Sequence, residues 1–286
     1  MGGAGAAPGA VRAPMDQVGV CGLDSAGPLF RSARGASYGT AAGISSRGLR
    51  GVGRTQKPES KKQEAGDRML VAIDTATDYA SLALHDGFQV LVEHTWESPR
   101  RHTVELLPRL AAALEQLGLR ADHLSGVAVT QGPGSFTGLR VGMAVAKGLA
   151  LARGLPLIGV PTLDVVAAAQ GRDRRPLCAV LQAGRGRICT AIYRWRGGEW
   201  RLREGPRLTT WSALAEETTS PTLFCGEVDL VGAEALAALG ELAVLLPAAT
   251  RLRRAGFLAE IAWRRLNRGE ADDPATLTPI YLQYPT

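Results

Sequence analysis

The sequence predicts an α/β protein of two lobes. Short apolar runs suited to buried strands alternate with helical stretches along most of the chain. The first of these runs make an antiparallel meander before any helix begins. A polar break, Gly171-Arg172-Asp173-Arg174-Arg175-Pro176, then separates one set of strands and helices from a second. These features divide the folded chain into lobes at residues 69–170 and 171–286, and 286 residues with 45% hydrophobic side chains can bury cores of that size.

Residues 1–68 precede the lobes. They are rich in Gly, Ala, Ser and Arg and lack a sustained apolar period, so burial cannot offset their ordering entropy. A disordered extension is expected. Its Arg- and Ser-rich character fits a targeting segment, and Met69, directly before the first convincing strand, fits a translation start assigned too early. The segment carries ten basic residues against five acidic ones, leaving 23 and 22 for the remainder of a chain whose net charge is +6. The folded part is close to neutral, and its charge gives no ground for a nucleic-acid groove.

Met69-Leu70-Val71-Ala72-Ile73 reads as a buried strand, Asp74-Thr75-Ala76-Thr77-Asp78 as a turn, and Ala80-Ser81-Leu82-Ala83-Leu84 as a second strand. Asp86-Gly87 signals a hairpin into a third strand near residues 88–93. A helix follows over about residues 103–117, with Leu106, Leu107, Leu110, Leu114 and Leu117 on one stripe and Gly118 at its end.

The strand Val127-Ala128-Val129-Thr130 then runs into Gly132-Pro133-Gly134-Ser135-Phe136-Thr137-Gly138 and a second helix to about Arg153. Ser135 or Thr137 can cap that helix. The N–H groups of such a turn attract anions, so two readings stand: a phosphate or carboxylate cradle, with Asp74, Thr75, Gly134, Ser135 and Thr137 as its residues, or a tight connection that aims the helix. The helix is apolar almost all round, and Gly138, Gly142, Ala146 and Ala150 recur every fourth residue. That smooth face admits another backbone closely, either in the core or at a partner.

Leu157-Ile158-Gly159-Val160 makes a further strand, and Thr162 is expected to cap a helix through Ala169. In the second lobe, residues 177–181 and 188–195 read as strands paired about Gly184-Arg185-Gly186, residues 200–202 as a third strand, and residues 222–225 and 242–245 as strands flanking a helix over 233–239. A helix over about 256–267 and an extended tail, Pro279-Ile280-Tyr281-Leu282, end the chain.

Several chemistries lack their residues. No run of about 18 apolar residues predicts a membrane helix. Cys21, Cys178, Cys189 and Cys225 form no C-x-x-C pair and read as reduced thiols; Cys178 and Cys189 could face each other across neighbouring strands, but small buried residues are the favoured reading. His102 has Leu106 rather than a second ligand one turn later, and neither His85, His94 nor His123 completes a metal spacing. No G-x-S-x-G elbow surrounds Ser135, and no P-loop precedes Lys147. Arg172, Arg174, Arg175, Arg185 and Arg187 read as solvated loop charges or a local basic patch.

Four segments occur in a telling order: Ala72-Ile73-Asp74-Thr75-Ala76-Thr77; Arg101-His102-Thr103 with Leu106-Leu107-Pro108; Gly132 to Arg140; and Leu157 to Leu163. Together they resemble the TsaB (YeaZ) family of bacterial subunits needed to make N6-threonylcarbamoyladenosine in tRNA. The resemblance is strongest over residues 69–169 and returns at Pro279-Ile280-Tyr281-Leu282. It implies a two-lobed actin-like, sugar-kinase-like ATPase fold and kinship with the catalytic subunit TsaD, once labelled a glycoprotease. It also implies a non-catalytic subunit that heterodimerises with TsaD through its first two helices in a complex joined by the ATPase TsaE.

In this reading the tRNA, modified at adenosine 37, reaches the chain only through the complex. No metal or cofactor is held by this chain alone, ATP or ADP belongs to the assembly, and the location is cytoplasmic. The partner interface is expected at Leu106, Leu107, Leu110, Leu114, Gly138, Gly142, Ala146 and Ala150. The family's Asp-Ala-Arg segment is replaced here by Gln182-Ala183-Gly184-Arg185. The competing readings are a glycoprotease-like or kinase-like enzyme on the same fold and a homodimeric binding module.

Overall fold

The computed structural model describes residues 69–282; the expectations for residues 1–68, Cys21 among them, lie outside that range. The meander forms as predicted from β1 (Met69–Asp74), β2 (Tyr79–His85) and β3 (Val90–Glu97), each antiparallel to the next. Helix α1 (His102–Gln116) leads to β4 (Leu124–Gly132), α2 (Phe136–Arg153) and β5 (Leu157–Pro161). Strand β4 lies parallel to β1 and β5 parallel to β4, giving the order β3-β2-β1-β4-β5.

After α3 (Thr162–Ala168) the pattern recurs. β6 (Leu177–Gln182), β7 (Ile188–Arg196) and β8 (Glu199–Thr209) form a second antiparallel meander. Then come α4 (Trp211–Glu217), β9 (Thr222–Gly226), α5 (Leu230–Ala237) and β10 (Ala243–Leu245), with β9 and β10 parallel to β6. The order β8-β7-β6-β9-β10 repeats the first sheet's plan strand for strand. This duplication is the two-lobed actin-like, sugar-kinase-like arrangement that the sequence suggested.

Alternation along the strands sorts their side chains onto two faces. Met69, Val71 and Ile73 of β1 join Val127 and Val129 of β4 beneath α1 and α2, which contribute Leu106, Leu110, Leu114, Met143 and Ala146. Leu70, Ala72 and Ala128 face the other way, against Leu258, Ala259 and Ala262. Those three residues belong to the last helix, α7 (Ala255–Leu266), which follows the single turn α6 (Ala248–Arg251). A cut at residues 170 and 171 assigns α7 to the second lobe, but its apolar face completes the first. The second sheet is covered by α3 on one face and by α4 and α5 on the other.

Some local expectations are corrected. Thr162 is the first helical residue of α3 and makes no cap; its buried hydroxyl has no partner among the described residues. Cys178 pairs in register with Ile192 and Cys189 with Leu181, which sends the two thiols into different cores. Both thiols are buried and free, and burial pushes each up to about 12. Among the described residues no helix is long and apolar enough to cross a membrane.

Candidate functional site

The turn after β1 and the start of β2 meet the ends of β6 and β9 at a cleft of about 820 Å³. Asp74 closes β1 and turns its carboxylate inward, with no exposed surface. Its Oδ1 accepts from the Ala76 backbone N–H at 2.9 Å and from the Thr130 hydroxyl at 3.1 Å. Its Oδ2 meets the Nε of Arg253, which lies just before α7.

The Arg253 side chain is 2% exposed. Its Nη1 donates to Glu227 Oε1 at 3.0 Å, and its Nη2 donates to the Thr77 hydroxyl at 2.9 Å and the Tyr79 carbonyl at 3.1 Å. Thr77 donates in turn to Glu227 Oε1 at 2.5 Å, while the Gln182 N–H donates to Glu227 Oε2 at 3.0 Å. One buried guanidinium therefore ties a carboxylate of the first sheet to a carboxylate following the second. Burial opposes its charge, but Asp74 and Glu227 outweigh that opposition and raise the Arg253 pKa.

An actin-like fold implies a nucleotide and its divalent cation at such a cleft. The residues present do not fit that pair. Asp74 has both oxygens engaged, and the guanidinium lies between the two carboxylates that would have to ligate a cation. His102, at the start of α1, is buried, and its Nδ1 has no partner among the described residues. Among those residues no three His, Cys, Asp or Glu side chains are grouped to hold a metal.

Of the five residues expected to cradle an anion, only Gly134 and Ser135 line the cleft. Thr75 is buried and donates to the Gly138 carbonyl at 2.7 Å; Thr137 is exposed outside the lining. The glycine turn serves the fold instead. The Ser135 N–H donates to the Ala76 carbonyl at 2.6 Å, and the Ser135 hydroxyl caps α2 by accepting from the Gly138 N–H at 3.3 Å. A Cβ on Gly134 would lie 2.2 Å from the Ala76 carbonyl oxygen. The turn thus locks onto the first corner of the meander and aims α2.

The expected interface stripe points inward. Gly138, Gly142, Ala146 and Ala150 are buried, and Cβ atoms on the two glycines would meet Thr75 at 2.2 and 2.3 Å. Small residues are what let α2 seat this closely on β1. Leu106, Leu110 and Leu114 are likewise in the core, so Leu107 alone of the eight is exposed.

The outward faces are also apolar. They carry Val104, Leu107, Pro108 and Ala111 on α1, and Ala144, Gly148 and Leu151 on α2, with Val141 and Val145 half-buried beside them. Val104, Leu107 and Leu151 are 62%, 51% and 68% exposed. Glu105 anchors α1 from its other side, accepting from the Trp96 indole at 2.9 Å and the Ser98 hydroxyl at 2.7 Å.

Sequence reasoning missed Arg253 and Glu227. Arg253 sits in the run Arg251-Leu252-Arg253-Arg254, which reads as solvated charge. The only local hint for Glu227 is its place directly after an apolar strand and a glycine.

Comparison with known proteins gives relatives for this chain. The TsaD family, described as tRNA N6-adenosine threonylcarbamoyltransferase, matches residues 94–219. The tRNA threonylcarbamoyladenosine biosynthesis protein TsaB of Escherichia coli strain K12 is 33% identical over 228 residues, which span 75% of this chain and 94% of that protein. Its namesake in Bacillus subtilis strain 168 is 30% identical over 161 residues, 55% of this chain and 70% of that one. The solved structure of YeaZ from Pseudomonas aeruginosa is similar with a TM-score of 0.64 at 27% identity, over 75% of this chain and all of the other.

Proposed function

The chain belongs to the TsaB (YeaZ) family, and from that premise we propose that it serves tRNA threonylcarbamoyladenosine biosynthesis as a partner subunit. It pairs with a TsaD-type catalytic subunit through the outward faces of α1 and α2. A TsaE-type ATPase joins the same assembly, and ATP or ADP is bound by the assembly rather than by this chain alone. The engagement of Asp74 by Arg253 supports that division of labour.

One observation carries the partner reading. Two adjacent helices over the same core leave Val104, Leu107, Ala144 and Leu151 in water. Burying such surface is favourable by about 25 cal/mol per Å² before ordering costs. A stable interface covers roughly 800 Å² on each partner, a span that two neighbouring helix faces of 15 and 18 residues can offer.

The test is the double variant Ala144→Glu with Leu151→Glu, assayed by co-purification with the TsaD-type subunit and by reconstituted tRNA modification. Association at least about ten-fold weaker is expected, as each charge must be desolvated at the contact, with thermal unfolding close to that of the wild type. Undiminished co-purification and modification would overturn the reading. A homodimer that the variant breaks but the partner leaves intact would instead make this face a self-association surface.

A further inference from the structure

The near-neutral total charge of residues 69–286 conceals a strong separation. Residues 171–210 hold ten arginines and three carboxylates, Asp173, Glu199 and Glu204, while the rest of that range holds 13 basic and 19 acidic residues. The fold gathers the excess at one edge. Arg172 and Arg174, from the segment before β6, join Arg194, Arg196 and Arg203 of β7 and β8 around a cavity of about 490 Å³ walled by Trp195.

None of these five guanidinium groups forms an ion pair or a hydrogen bond among the described residues. The carboxylate within the cavity wall, Asp173, is engaged by the Nε and Nη2 of Arg175 at 3.0 and 2.8 Å. Arg194 also stands directly opposite Arg201 in the β7–β8 ladder, two like charges of which only Arg201 has a carboxylate partner, Glu199 at 3.2 Å. Uncompensated guanidiniums crowded about a polar hollow repel one another, and a polyanion relieves that repulsion.

We infer that this arginine cleft at the β7–β8 edge is a docking surface for the phosphate backbone of an RNA. The identity of that RNA as tRNA rests on the proposed role in threonylcarbamoyladenosine biosynthesis; the charge geometry stands apart from it. Guanidinium forks match phosphate oxygens in pairs, and Trp195 gives an aromatic wall beside them. Contacts of this kind fix position without reading sequence. The chain then touches tRNA directly, at an edge distinct from the helix faces assigned to the protein partner.

The experiment compares the full-length wild type with Arg174→Glu, Arg194→Glu and Arg203→Glu combined, so that the basic extension is constant. A control carries Arg100→Glu, Arg120→Glu and Arg264→Glu, the same change in net charge placed elsewhere. The probe is an unmodified tRNA transcript titrated across a salt series. The cleft variant is expected to bind at least about ten-fold more weakly than the control near 0.1 M salt, with the salt slope reduced by about 2.

Arg194→Glu turns the repulsive pair with Arg201 into an attractive one, so the cleft variant should melt no lower than the wild type. Co-purification with the TsaD-type subunit should be unchanged; its loss in the helix-face variant alone keeps the two surfaces distinguishable. Equal RNA binding by the cleft and control variants would overturn the inference. So would retained tRNA binding with loss of binding to phosphatidylcholine vesicles containing phosphatidylglycerol, which would make the cleft a membrane surface.

Discussion

The first and second sheets share one strand plan but present different chemistry to their surroundings. The first is dressed by helices of 15 and 18 residues that leave Val104, Leu107, Ala144 and Leu151 exposed on their outward faces. The second is covered on one side by α4 and α5, of seven and eight residues, and presents arginine-bearing strands at its edge. A duplicated backbone can thus divide two kinds of recognition between its copies. Topology decides where each surface lies, and the residues that the shared core does not need decide what that surface contacts.

Breaking the link between the copies should have the largest effect. Arg253→Met leaves Asp74 and Glu227 facing each other without the guanidinium, and loss of one member of a buried ionic group costs about 3–5 kcal/mol. Urea denaturation should register that loss as a lower midpoint. A decrease below about 1 kcal/mol would show that the triad is not what holds the sheets together.

The two sides of α2 can be contrasted next. Gly142→Leu must force its side chain against Thr75 and should cost about 1–3 kcal/mol or more through overpacking. Gly148 faces open space, so Gly148→Ala should raise stability by up to about 1 kcal/mol through helix propensity. Thermal unfolding of the pair checks both signs, and a destabilising Gly148→Ala would reverse the assignment of faces.

The smallest effect is a slope against pH. Asp164 of α3 accepts from the Tyr193 hydroxyl at 2.7 Å, joining α3 to the second sheet. Burial raises its pKa above the ordinary 3.8, and the Tyr193 hydrogen bond only partly opposes that rise. The folded state therefore binds more protons than the unfolded state above that pH, and this group's contribution to stability falls as pH rises through the window. Asp164→Asn should flatten that decline in urea midpoints measured from pH 4 upward; an unchanged slope would exclude Asp164 as its source.

The meander, the capped second helix and the alternation of strands with helices were legible, because alternation, turn residues and helical period are local signals. The orientation of α2 was not. A helix apolar on both sides has no polar face to declare which side is buried, and only the approach of Gly138 and Gly142 to Thr75 reveals it. Strand β8 was read over three residues although it runs from Glu199 to Thr209, because its side chains are largely charged and Pro206 interrupts the pattern. An edge strand tolerates both features.

At the candidate site, local signals single out Asp74 and the glycine turn, while none singles out Arg253 or Glu227. Their importance arises from placement across some 180 and 150 residues of sequence, with Arg253 to Asp74 separated by 179 and Glu227 to Thr77 by 150. No window of sequence contains such a pairing. The arginine cleft was divided for the same reason, since Arg172 and Arg174 lie before β6 whereas Arg194, Arg196 and Arg203 lie on the following two strands.

The return of α7 to the first sheet has a consequence for synthesis. A nascent chain has made β1 to β5 by residue 161, but the layer that covers Leu70, Ala72 and Ala128 is not finished until residue 266. At ordinary elongation rates that interval is about 5–20 s. During it, one side of the earliest sheet must stay collapsed on itself or be shielded by a chaperone.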